Sequence, residues 1–315
     1  MDEPKQRDPT TEEILGDVNL AGKRVLVTGA SAGLGRETCR AIATRGAHVV
    51  GTVRDLEKAR AVNAEIVGEP HLTIELVRLD LASLESVRTC ADSLLKSGES
   101  LDVIICNAGV MATPPGFTVD GFETQFGVNH LGHFLLVNRL LPLLKSGSRV
   151  IVLSSMGHRI SDIDLEDPNF ENRPYDEWDS YGAAKTANVL FAVQLDRRLR
   201  TRGIRAAAVH PGVVTDTELT RHMNESDFLE FLNSDRDVHH RNKSIPEGAA
   251  TTVWAAFRAP AEEVGGLYCQ DCRVSEVNDA PVVSNAGPRA YAIDPERAAV
   301  LWALSEKLVG ETFSL

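Results

Sequence analysis

At 315 residues, 43% hydrophobic and 25% charged, the chain is long enough for two average folded units or one large one, with ample apolar material for a core. A formal net charge of −12 argues against general affinity for nucleic acid or for an anionic membrane surface. Five cysteines, an odd number, make no disulfide framework, the acidic opening MDEPKQRDPTTEEIL holds no signal peptide, and no run approaches the roughly 18 apolar residues of a membrane span, so a cytoplasmic protein is expected.

Residues 1–20 read as a polar extension. A regular alternation then begins, with β-branched runs at RVLVTG, HVVGTV, LTIELVRLD, LDVIICNAG, SRVIVLSS and RAAAVHPG. The first five are nearly continuous apolar segments, the pattern of strands covered on both faces. Helix-like stretches lie between them, among them RETCRAIATRG, LASLESVRTCADSLLKSG with its closing Gly after a basic residue, and a longer one from about Asp120 to Lys145. Strand–helix repetition with right-handed crossovers predicts an α/β fold, a doubly wound parallel sheet of the Rossmann type, as a single domain over residues 21–290. Between residues 217 and 246 the pattern loosens into polar sequence, which suggests a substrate lid. PERAAVLWALSEKLVG, within 291–315, reads as a C-terminal amphipathic helix starting after Asp294.

The first strand ends in TGASAGLG. Gly29, Gly33 and Gly35 fall between a buried strand and a helix start, where backbone N–H groups can approach a pyrophosphate at the positive helix end. A purely structural turn is the alternative, but strand-then-helix is the context that favours dinucleotide binding. The second strand should carry the residue that meets the adenosine ribose. An acid there would select NAD; here Val53 closes the strand and Arg54 follows, a guanidinium able to pair with a 2′-phosphate. Arg36, directly after the third glycine, adds a second cation. The bland readings are an Arg54–Asp55 surface pair and a solvated Arg36. NADP(H) is therefore expected over NAD(H).

In SYGAAKTANVLFAVQL, Tyr181 precedes Lys185 by just over one helical turn, so both project from one face. On spacing alone this is either an acid–base pair or a packed tyrosine near a surface lysine. Other polar residues suggest less. Cys269 and Cys272 form a lone CQDC, better read as strand-and-turn packing than as a zinc site. His130 and His133 share a helix face without a third ligand, so no metal is expected; His239 and His240 read as solvent-facing. Ser155 and His210 lack the nucleophile elbow of a serine hydrolase.

TGASAGLG, the CNAG at 106–109 and YGAAK together resemble the short-chain dehydrogenase/reductase family, over about residues 20 to 285. Cys106 stands where that family's NNAG has its first Asn. Within the family, TVRD, VNHLGHFLL and LSSMGHR are similar to the branch of retinol dehydrogenases, WW-domain oxidoreductases and protochlorophyllide reductases, although the N-terminal membrane anchor of many retinol dehydrogenases is lacking. The resemblance implies that Tyr181 is the general acid in ketone reduction and the base in alcohol oxidation. Lys185 would hold the nicotinamide ribose and draw proton transfer toward neutral pH. Ser155, rather than Ser154, would hydrogen-bond the substrate oxygen, and Asn129 would hold a water of the proton relay. For the cofactor it implies Asp80 with Leu81 at the adenine, and Asn107, Ala108 and Gly109 under the adenosine. Ser31 and Leu34 would join the glycine turn. Pro211, Gly212 and Val214 would border the nicotinamide, with Thr215 or Thr217 at its carboxamide.

The reading is an NADP-dependent oxidoreductase reducing a small-molecule carbonyl or oxidising a secondary alcohol. The alternatives are carbon–carbon double-bond reduction, as in protochlorophyllide reductase, and a non-catalytic NADP sensor. A homodimer is expected as an option. The intact set Asn129, Ser155, Tyr181 and Lys185 argues for catalysis.

Overall fold

A computed structural model describes residues 7–60, 72–221, 242–280 and 287–314. The strands run β1 Arg24–Thr28, β2 His48–Val53, β3 Thr73–Arg78, β4 Leu101–Cys106, β5 Leu144–Leu153, β6 Arg205–His210, β7 Tyr268–Gln270 and β8 Arg273–Val274. They form one sheet in the order β3-β2-β1-β4-β5-β6-β7-β8, with each pairing parallel except the terminal β7–β8 hairpin. Order reverses beside β1, between β1 and β4, which opens a crevice at the carboxyl ends of those strands.

The strands are continuously apolar because both faces are covered. Alternate residues feed two separate cores. Leu26, Val50, Ile104 and Val152 face one side, whereas Val25, Val27, Val49, Ile105 and Ile151 face the other. The first core is closed by α3 (Leu84–Ser97), a long helix α4 (residues 124–140), α5 (Glu177–Leu199) and α7 (Pro295–Val309). The second is closed by α1 (Thr11–Leu15), α2 (Gly33–Ala43) and α6 (Ile245–Val253). The helix boundaries follow local chemistry. Ser83 caps α3 through the Ser86 N–H and Gly98 ends it at φ 66°, while Asp294 caps α7 and Gly310 ends it at φ 71°.

Three expectations are revised. LTIELVRLD forms the edge strand β3, half exposed along its length, because among the described residues no strand pairs beyond it. The long helix is shorter than residues 120–145: it starts at Thr124, is interrupted by a π turn at Gly127–Leu131, and Lys145 already lies in β5. Residues 7–20 are not a loose tail, since a Thr10–Glu13 capping box starts α1, Leu15 and Leu20 are buried, and Thr11 donates to Glu37 at 2.5 Å. That stretch escapes sequence patterning because its apolar anchors, Ile14, Leu15, Val18 and Leu20, cover too short a run to establish a helical or strand period. The 217–246 segment falls largely outside the described residues, as do His239 and His240.

Candidate active site

Every strand from β1 to β6 ends at the same edge, so six loops converge on one cleft of about 380 Å³. Its walls include Gly29, Ser31, Gly33, Leu34 and Gly35 from the first loop. Arg54 follows β2, Asp80 and Leu81 follow β3, and Asn107 to Gly109 follow β4. Ser155, Tyr181, Lys185, Pro211, Gly212, Val214 and Thr217 complete the far end. Residues separated by nearly two hundred positions are thus neighbours.

The glycine turn is built for close approach. Gly29 and Gly33 have φ of 73° and 52°, and a Cβ on Gly35 would sit 2.1 Å from the Gly29 carbonyl oxygen. With no side-chain cap at Ala32, the first N–H groups of α2 are left to face the cleft. Asn107 locks the neighbouring loop: its Nδ2 donates to the Thr28 carbonyl at 2.8 Å, and its backbone N–H and that of Ala108 donate to Thr28 Oγ1. Thr28 Oγ1 is 2.9 Å from His133 Nε2, while His133 Nδ1 is 2.9 Å from the Asn129 carbonyl oxygen. A carbonyl only accepts, so Nδ1 carries the proton and Nε2 accepts from the threonine. Burial pushes His133 down to about 4, consistent with a neutral imidazole. His133, set aside as a non-ligand, therefore braces the cofactor loop.

Tyr181 and Lys185 lie on α5, buried at 3% and 5% exposure, and Tyr181 lines the same end of the cleft as Ser155. Ser155 also accepts from the Gly157 N–H at 3.0 Å. Ser154 is otherwise committed, its hydroxyl donating to the Lys185 carbonyl at 2.9 Å. Lys185 Nζ donates to the Leu153 carbonyl at 3.3 Å and stands 5.6 Å from the Tyr181 ring centroid. Desolvation lowers Lys185 to about 8 and raises Tyr181 to about 12, with Ser155 opposing the latter. The expected pull of the lysine on the phenol toward neutral pH is thus absent from this arrangement, because the ammonium is aimed at a carbonyl rather than at the phenol oxygen.

Three further residues depart from expectation. Asn129 does not line the cleft. Its side chain clamps the backbone beneath Gly109, accepting from the Val110 N–H at 2.8 Å and donating to the Val110 carbonyl at 2.9 Å. Thr215 is turned away, bonded to Asn242 through both N–H and hydroxyl, whereas Thr217 faces the cleft against Gly33. Arg36, on the first turn of α2, is not among the lining residues. In its place the adenosine end gains Lys58 and Arg221 beside Arg54. Burial and then the charge of Arg54 hold the Arg221 guanidinium below its usual value. Lys58 follows Arg54 at i+4 and was findable on that spacing; Arg221 arrives from a distant loop and was not. At the opposite end Met111, Met156, Trp178 and Leu219 form an apolar wall around Tyr181, with the Trp178 ring edge-on to it at 6.4 Å. The glycine cradle fits a dinucleotide cofactor.

Among the described residues no group of His, Cys, Asp or Glu is arranged to hold a metal ion, and no helix is long and apolar enough to cross a membrane. CQDC forms the β7–β8 hairpin, its turn residues Asp271 and Cys272 at φ 48° and 53° and both thiols free.

The family model for short chain dehydrogenases matches residues 23–227. The chain is 39% identical over 316 residues to the short-chain dehydrogenase/reductase prx1 of Penicillium roqueforti, covering 97% of this chain and 92% of that one. It is 40% identical over 295 residues to retinol dehydrogenase 13 of Homo sapiens, covering 92% and 86%. A solved short chain dehydrogenase from Burkholderia cenocepacia in complex with NADP superposes with a TM-score of 0.64 at 25% identity, over 80% of this chain and 97% of that one. A glycine-lined crevice at the sheet edge, a tyrosine and lysine one helical turn apart, and likeness along nearly the whole chain agree: it belongs to the short-chain dehydrogenase/reductase family and is an oxidoreductase.

Proposed function

We propose that this enzyme is an NADPH-dependent reductase of an uncharged ketone or aldehyde. The observation that carries the reading is the buried Tyr181 beside Ser155 in the cleft, one helical turn from Lys185 and continuous with the glycine cradle. Bound nicotinamide supplies the hydride. Tyr181, raised to about 12, keeps its proton across the physiological range, which suits donation to a carbonyl oxygen. Ser155 offers its O–H to the same oxygen and orients it. Lys185 serves the ribose hydroxyls, its ammonium held by the Leu153 carbonyl at 3.3 Å. Asn129 acts by fixing Val110 and the adjoining Gly109, the backbone over which the cofactor lies, alongside the water-holding role expected from sequence. Arg54, with Lys58 and Arg221, favours the 2′-phosphate. The apolar wall of Met111, Met156, Trp178 and Leu219 selects an apolar body on the substrate.

The test is NADPH oxidation against a panel of apolar ketones, aldehydes and enones, beside a direct NADPH-binding measurement. Turnover of carbonyls that vanishes in Tyr181→Phe supports the proposal. Turnover of enones alone would indicate double-bond reduction, and tight NADPH binding with no turnover anywhere would indicate a sensor.

A further inference from the structure

Behind Ser155, on the side away from the cleft, lies a fully buried histidine that none of these roles uses. His158 sits in the 3₁₀ turn Met156–Arg159 and is 0% exposed. Its Nδ1 is 2.6 Å from the Ser155 carbonyl oxygen, and its Nε2 is 3.3 Å from the backbone N of Arg289. The two partners fix the tautomer: a carbonyl accepts and an amide donates, so Nδ1–H points at Ser155 and Nε2 accepts from Arg289. The His158 carbonyl in turn accepts from the Tyr291 hydroxyl at 2.5 Å and from Thr186 Oγ1 at 3.2 Å. Thr186 is the residue after Lys185 on α5. The imidazole also packs on the Tyr268 ring of β7, with centroids 5.0 Å apart. One side chain thus joins the serine loop and the segment entering α7, and its backbone adds α5.

We infer that His158 is a positioning residue that fixes the Ser155 loop for catalysis by tying its backbone, through the neutral imidazole, to the chain segment Arg289–Tyr291. The inference rests on the reading of Ser155 as the donor to the substrate oxygen. Ser155 is a strand-end residue whose own side chain is held locally, accepting from the Gly157 N–H. Without a strong hold on its carbonyl, its hydroxyl and Tyr181 would lose their common aim at one oxygen, and small displacements at a reacting centre cost rate steeply. Burial lowers the imidazole to about 3, so the link stays neutral and intact at working pH. The segment Arg289–Tyr291 then acts on the catalytic serine without touching the cleft.

The experiment is a double-mutant cycle. His158→Phe keeps a ring against Tyr268 but removes both the donor and the acceptor. It should lower kcat about tenfold, the scale of one lost buried hydrogen bond, with the NADPH dissociation constant unchanged. His158→Asn restores an N–H near the Nδ1 position and should recover most of that loss. In a Ser155→Ala background His158→Phe should cost little further, because the group it positions is gone. Amide exchange at Arg289, read without substrate or cofactor, should quicken in His158→Phe. Should that variant fail to fold, Tyr291→Phe carries the same cycle with a smaller drop in kcat. A full tenfold loss persisting in the Ser155→Ala background, or no loss in the parent, overturns the inference. If Ser155→Ala itself leaves kcat unchanged, the role of Ser155 falls, and this inference with it.

Discussion

At the scale of single residues, the cleft's chemistry rests on two buried groups whose proton affinities move in opposite directions. Tyr181→Phe leaves the packing against Trp178 in place and removes the phenolic proton. We expect kcat to fall by about 10²–10⁴ while NADPH affinity is kept, and a variant with near-parental turnover would exclude Tyr181 as the acid. Lys185, lowered to about 8 by burial, is a cation below that pH and loses its charge as pH rises through it. Affinity for NADPH should therefore weaken progressively between about pH 7 and 9.5, whereas a flat dissociation constant over that range would remove the ribose contact. Arg54→Ala should narrow the kcat/KM preference for NADPH over NADH by about tenfold, the worth of one charge-assisted contact. Lys58 and Arg221 at the same end keep it from vanishing. An unchanged ratio would make Arg54 a surface charge only.

At the scale of elements, the β1–α2 connection is the most tightly determined part of the molecule. Gly35 is helical and needs no special φ; it is glycine because the Gly29 carbonyl and Asn107 Nδ2 lie 2.1 and 2.5 Å from where a Cβ would stand. Both contacts are backbone or backbone-bonded atoms and cannot swing aside. Gly35→Ala must spread the turn from α2, so NADPH binding should fall more than tenfold in titration, on the order of 1.4 kcal/mol or more. Gly98 offers a comparison: a Cβ there meets nothing within 4 Å, and its cost is confined to the left-handed φ of 66°, about 1–2 kcal/mol of stability with no effect on the cofactor. Equal loss of binding in the two variants would contradict this division. The turn's glycines and its strand–helix context were legible in the sequence, since both are local. The reason for Gly35 was not, because Asn107 lies in another loop.

At the scale of the whole molecule, three buried histidines link elements that lie far apart in the chain. His133 meets β1, His158 meets the segment before α7, and His130 stacks on Phe126 and lies 2.8 Å from Ser305 of α7. Burial lowers them to about 4, 3 and 3 respectively. The unfolded chain protonates its histidines below about 6.5, the folded one only near 3–4, so in between the unfolded state binds more protons. Stability should be full above about pH 6.5 and lost as pH falls, by up to about 1.4 kcal/mol per pH unit for each histidine. Denaturant titrations at several pH values would show it, and His130→Phe should remove about one proton from the slope. An unaltered slope would mean that His130 titrates alike in both states. The same α7 places Trp302 against Phe134 and Phe191, so a homodimer of this chain would have to use a face other than the one α7 covers.

By itself the sequence determined the doubly wound sheet, the glycine turn, the Tyr181–Lys185 pair and the choice of Arg54, because each is encoded within a few neighbouring residues as a period, a spacing or a missing side chain. It pointed to Ser155 over Ser154 and left Thr215 and Thr217 open. Tertiary structure commits the Ser154 hydroxyl to the Lys185 carbonyl and Thr215 to Asn242, and leaves Ser155 and Thr217 facing the cleft. It alone brought Arg221 beside Arg54 and Lys58, turned the Asn129 side chain to the Val110 backbone, and put His133 and His158 to structural use. Each of these decisions is a hydrogen bond or close approach between loops far apart in the chain, where no local pattern exists to be read. The direction of the Tyr181 and Lys185 shifts belongs with them, since desolvation is a property of everything packed around a group and of none of its sequence neighbours.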